Sequence, residues 1–207
     1  MSRSPPCISS LTDDAHSSLF CWIIGVWYEL PRSSIFLNYE QSLSWLQALV
    51  AHLLFLDDLS VVGTWTSRLE LAVFDDSLAD SVLEIAFEGC LRKDPLALKL
   101  ALIFSTIVVA RLNGEATKLL CSFTQSSALH NIIEYLIDSE ARDWVLRLDS
   151  NLQAKVMHLA RRLLDMIESA ETALSQNLKN FCKLRNLLVL LLDRWNTLFE
   201  QCSNDVR

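Results

Sequence analysis

Three aspartates in the string FDDSLAD, Asp75, Asp76 and Asp80, come nearest in this chain to a pattern that could do chemistry. Carboxylates gathered on one helix face can hold Mg²⁺ ions and so neutralise a diphosphate leaving group. The plainer assignment is a helix start, because acidic side chains are favoured at the positive end of a helix opening near Ser77. His130, Glu134, Asp138 and Arg142 recur every fourth residue and so line one helix face. A metal site wants three converging ligands, preferably with a second histidine, and this spacing fits a ladder of solvated charge pairs better. His52 falls inside the apolar run LVAHLLFL and reads as a core or boundary histidine. No phosphate-binding glycine loop, dinucleotide fingerprint or nucleophile elbow occurs, and four glycines in all leave little room for one.

The aspartate string invites comparison with all-α prenyl-diphosphate enzymes and terpene cyclases, whose usual motif is D-D-x-x-D. Here one more residue stands before the third aspartate, and no second aspartate-rich motif follows. An all-α Mg-dependent enzyme acting on a diphosphate or apolar substrate is therefore the alternative reading, and neither catalytic residues nor a cofactor are expected.

Composition narrows the field further. With 207 residues and 51% hydrophobic content, the chain can bury a substantial core. A net charge of −7 argues against a phosphate-backbone binder, which needs clustered Lys and Arg. The six cysteines are scattered and form no C-x-x-C pair, so they read as reduced thiols of an intracellular protein, cytoplasmic or nuclear. The run Leu19 to Leu30 has the length of a signal-peptide apolar region, but Asp13 and Asp14 precede it where basic residues are required. It reads instead as a buried or surface-docked helix, with a peripheral membrane role as a third possibility.

The elements that would carry these residues are helices. Leu78, Val82, Ile85, Ala86 and Gly89 share one face, with Asp80, Glu84 and Glu88 on another. Leu152, Val156, Leu159, Ala160, Leu163 and Ile167 repeat the pattern, with Lys155, His158, Arg161, Arg162 and Asp165 opposite. The last 93 residues contain neither glycine nor proline, so the spacing predicts an all-α fold. Its breaks are predicted at polar clusters: 31–34, 57–63, 75–77, 92–95, 113–115, 125–127, 138–142, 149–151 and 175–180. Residues 1–17 form a polar leader, expected to be mobile, before a single helical domain over 18–207.

The stretch DPLALKLALIFSTIVVARLNG, residues 94–114, tests the membrane question. As a helix, Leu96 to Leu112 covers about 25 Å, short of a hydrocarbon core of about 30 Å. Asp94 is suited to cap its start and Pro95 to open it, while Gly114 is expected to end it in the left-handed conformation. Apolar residues nearly all round predict a central helix covered on several sides. Farther on, Ala160, Leu163, Ile167, Ala170, Leu174, Asn177, Phe181, Leu184, Leu188, Leu191, Trp195 and Leu198 alternate steps of three and four. Leu164, Leu178, Leu192 and Phe199 widen that stripe beyond a two-helix seam, which favours packing inside one chain over self-association through the C-terminal helices. The pattern belongs to two helices joined near Gln176.

Helix, tight RKDP turn and second helix over Asp80 to Leu112 resemble one unit of a HEAT or armadillo-type array, and Ala128 to Ile167 is similar. Placing Asp94 on Asp149 pairs Ala97 with Leu152, Ala101 with Val156, Phe104 with Leu159, Val108 with Leu163 and Leu112 with Ile167. The resemblance covers about 90 residues and carries no functional residue. It implies stacked antiparallel helix pairs that bind another macromolecule on one face. Together with the absence of catalytic motifs, this predicts a non-catalytic scaffold or adaptor, a subunit of a larger complex, with another protein as partner. Candidate contact residues are Trp22, Trp27 and Tyr28 in the aromatic run, His158, Arg161 and Arg162 on the basic face, and Leu188, Leu192, Trp195 and Phe199 near the C-terminus.

Overall fold

A computed structural model describes residues 38–58, 64–74, 78–171 and 178–204, and no strand occurs among them. The chain is all-α. Its helices are α1 (Tyr39–Asp58), α2 (Thr64–Phe74), α3 (Leu78–Leu91), α4 (Pro95–Arg111), α5 (Ala116–Gln125), α6 (Ser127–Ile137), α7 (Arg142–Arg147), α8 (Ser150–Glu171) and α9 (Leu178–Asn204). Short 3₁₀ turns, Asn113–Glu115 and Ser139–Ala141, precede α5 and α7. Each predicted break from 57–63 onward coincides with a helix boundary, while the break at 31–34 and the leader 1–17 lie outside the described residues.

Short polar side chains write several of these starts. Asn38 Oδ1 accepts the amide of Glu40 at 3.0 Å, and Asp94 Oδ1 accepts that of Leu96 at 2.9 Å, just before Pro95 opens α4. Ser126 Oγ accepts the amide of Leu129, and Asp138 Oδ1 accepts that of Glu140. The expected left-handed stop at Gly114 is not present, and no described glycine has positive φ. Instead α4 ends at Arg111, and the carbonyl of Leu112, which caps it, accepts the amide of Glu115 at 2.9 Å, so the 3₁₀ turn follows the helix end without a left-handed residue.

Helix α4 is covered on most sides, as its composition predicts. It buries ten residues from Ala97 to Val109 against α1, α3 and α8, leaving open, besides its end residues Pro95 and Arg111, the stripe Leu96, Lys99, Ile103, Thr106 and Ala110. Helix α3 lies at the centre, in contact with α1, α2, α4, α5 and α6. Among the described residues no helix is long and apolar enough to cross a membrane.

The RKDP turn between α3 and α4 is a Schellman motif. Lys93 N–H donates to Cys90 O at 3.0 Å and Asp94 N–H to Gly89 O at 2.8 Å, with Lys93 at φ 58° where glycine is usual. A side chain in the left-handed region costs about 1 kcal/mol, and neighbours hold this one there. Trp144 of α7 donates its indole N–H to Lys93 O at 3.1 Å, and Tyr39 of α1 donates its hydroxyl to Asp94 Oδ2 at 2.8 Å. The Arg92 guanidinium stacks 4.7 Å from the centre of the Tyr39 ring. Burial first, and then the bond to Asp94, push the Tyr39 phenol well above its ordinary range. Glycine is required at position 89: a Cβ there would collide with the Cβ of Ala97 and stand 2.9 Å from the Tyr39 hydroxyl.

The C-terminal stripe turns inward. Ala160, Leu163, Ile167 and Ala170 of α8, with Phe181, Leu184, Leu188, Leu191 and Trp195 of α9, are buried, while Leu164, Leu192, Leu198 and Phe199 are half-buried. Helix α9 meets α8, α6 and α5, so the wide stripe serves several partners within the chain. Leu174 and Asn177 fall outside the described residues.

Candidate functional site

Asp75 and Asp76 lie outside the described residues, and Asp80 Oδ1 accepts the Ser126 hydroxyl at 2.6 Å, tying α3 to the start of α6. Ser126 thus donates to one partner while accepting the amide of Leu129, and His130 Nδ1 bonds to its backbone carbonyl rather than its hydroxyl, at 2.9 Å. The Asp80, Ser126 and His130 trio is a helix cap, for the buried serine has no histidine to take its proton. Of the proposed ladder, Glu134 pairs with Lys183 at 3.6 Å and Asp138 caps the 3₁₀ turn. His52 is buried in α1. Among the described residues, no group of three or more His, Cys, Asp or Glu could hold a metal ion. Cys90 is buried, and burial pushes its thiol up to about 12, far from the thiolate a nucleophile needs. Cys121 is half-buried and Cys182 exposed.

What the structure does build is an apolar groove between α9 and the α6–α7 corner, about 440 Å³ in volume. Its position follows from one long-range bond. Trp195 drives its indole into the core and donates Nε1–H to Leu136 O at 3.0 Å, satisfying one of the carbonyls left open at the end of α6. That contact fixes α9 across the corner, and the gap beside it is floored by Leu136, Val145 and Trp195 and walled by Leu190 and Leu198. Asp138, Arg142, Asp193 and Arg194 stand around it, giving an apolar centre with charged margins. Phe199 packs edge-on against Trp195, ring centres 5.7 Å apart. Leu190 of that wall is 42% exposed, and Val189, which precedes it on α9, 39%.

Of the contact residues expected from sequence, Leu188 and Trp195 lie in the core rather than on a surface, and Leu192 and Phe199 are half-buried against it. His158 and Arg161 are exposed on α8, with Arg162 half-buried beside them. Trp22, Trp27 and Tyr28 lie outside the described residues. The outward residues Val189 and Leu190 were missed, although a signal exists: Leu187 to Leu192 is an unbroken apolar run on a helix whose seam can bury only part of it. No protein family matches the chain, and no curated protein or solved structure is significantly similar to it.

Proposed function

We propose that this chain is a non-catalytic helical scaffold or adaptor, an interaction subunit of a larger intracellular complex. The groove beside α9 carries the reading. An apolar floor with charged margins and adjoining exposed aliphatic side chains is suited to the apolar face of an amphipathic segment from another protein. Two contacts run in the sense of the HEAT or armadillo-like resemblance, α3 on α6 and α4 on α8, first helix on first and second on second, while α9 rather than α8 is the strong partner of α6. The matched pairs are buried on both helices except Leu159, which is half-buried. Helix α5 is inserted between the two pairs.

The test is tagged capture from a native lysate with quantitative mass spectrometry, using the native chain and the double variant Val189→Asp, Leu190→Asp. One stoichiometric partner, lost in a variant whose helical circular dichroism is unchanged, is the expected result. Recovery of an isolated monomer, or a partner retained by the variant, would rule out docking at this groove.

A further inference from the structure

A second cleft, about 400 Å³, opens between the starts of α4 and α8 and has a different character. Its floor is Pro95, Leu96, Leu148 and Leu152, while Lys99, Arg147 and Lys155 stand around it on three separate elements. Asp149 is the one carboxylate in its lining. Three cations against one anion run counter to a chain whose net charge is −7. Neither lysine forms an ion pair among the described residues, and Arg147 spends only its Nε–H, on Asp143 O at 3.0 Å.

The cleft continues as a stripe. Leu96 and Lys99 share it with Asn151 and Lys155, and deeper in the core Ala101 and Ser105 face Leu159 and Leu163, so α4 and α8 run side by side in the same direction. Along α8, Lys155 is followed on the same face by His158 and Arg162, and Asp165 ends the stripe. From Asn151 to Arg162 this stripe extends about 16 Å at 1.5 Å per residue. Leu96, 36% exposed, adds an apolar contact among the cations.

We infer that this cleft is a docking site for an acidic peptide segment anchored by an apolar side chain. Cations spread along a line meet a row of carboxylates, whereas one phosphate needs them gathered at a point. A concave apolar floor receives a side chain, which a flat bilayer does not offer. The inference rests on the adaptor reading and gives that adaptor a second, charge-selected contact on another face.

The experiment is fluorescence anisotropy with a labelled peptide in which Leu recurs among Glu and Ser, alongside its Gln-for-Glu counterpart. Saturable binding of the acidic peptide is expected, about tenfold weaker in Lys99→Glu and in Lys155→Glu, since each reversal turns an attraction into a repulsion. Arg185→Glu on α9, the same charge change elsewhere, should leave binding unaltered, and added salt should weaken it. Absence of binding, equal binding in the cleft variants, equal binding of the Gln peptide, or binding only to phosphatidylserine vesicles would each overturn the proposal. Leu190→Asp should keep the peptide, so failure at the cleft and failure at the α9 groove read out separately.

Discussion

The α3–α4 corner and the outer face of α9 are both helical and leucine-bearing, yet they are built to opposite ends. At the corner, Gly89 admits Ala97, Lys93 is held in the left-handed region, and side chains from α1 and α7 reach in to bond Asp94 and Lys93. On α9, Val189 and Leu190 project past the last packed layer and the neighbouring groove is left open. One region closes every option for its backbone, and the other leaves a groove open beside its helix. Exposure alone does not separate the two, since Leu91 at the corner is itself 51% exposed; the open groove beside α9 does.

Substitutions sharpen that contrast. Gly89→Val should be the most damaging, costing about 3 kcal/mol or more, because the branched side chain must displace Ala97 and Tyr39. A large fall in the urea midpoint is expected. Trp195→Phe keeps most of the ring but strands the carbonyl of Leu136, for a loss of about 1–3 kcal/mol in the same assay. Raising the pH exposes a subtler weakness of the packed region. Cys90 has an ordinary value of 9.0 and a folded value of about 12, so its contribution is complete below 9 and is lost as pH climbs toward 12, where only the unfolded chain ionises freely. Stability measured across that window should fall less steeply in Cys90→Ala than in the native chain.

Two smaller effects complete the contrast. Lys93→Gly should stabilise by about 0.5–1 kcal/mol, because glycine takes φ 58° without a Cβ clash. A lower urea midpoint would show that the neighbours of Lys93, rather than its backbone, decide the corner. Leu190→Lys should change stability by no more than about 0.5 kcal/mol, as a surface position does. A larger loss would show that the α9 face is structural and not a reserve for a partner.

Helix boundaries were legible because polar clusters and short capping side chains act locally: Asp94 and Pro95 announce α4 within two residues. The burial of α4 was legible for a similar reason, since a helix apolar nearly all round has no face to give to water. Gly114 misled because a glycine after a helix suggests a left-handed stop, and nothing nearby in sequence says that a 3₁₀ turn has already satisfied the carbonyl of Leu112. The RKDP turn was legible as a break, but not that Lys93 would take a glycine conformation without being glycine. The groove was hidden because its defining bond joins Trp195 to Leu136, 59 residues apart, and periodicity within one helix says nothing of where another ends. Sequence pointed to the right helix there, but to its inward residues Leu188 and Trp195.

The indole of Trp195 also gives the molecule an optical handle. Its ring lines the groove while its N–H is held by a backbone carbonyl inside the core, so an occupant of the groove changes the polarity around a fluorophore already in place. The difference in emission between the native chain and Trp195→Phe isolates that one of the six tryptophans. Occupancy of this face can then be titrated without attaching a label to either molecule.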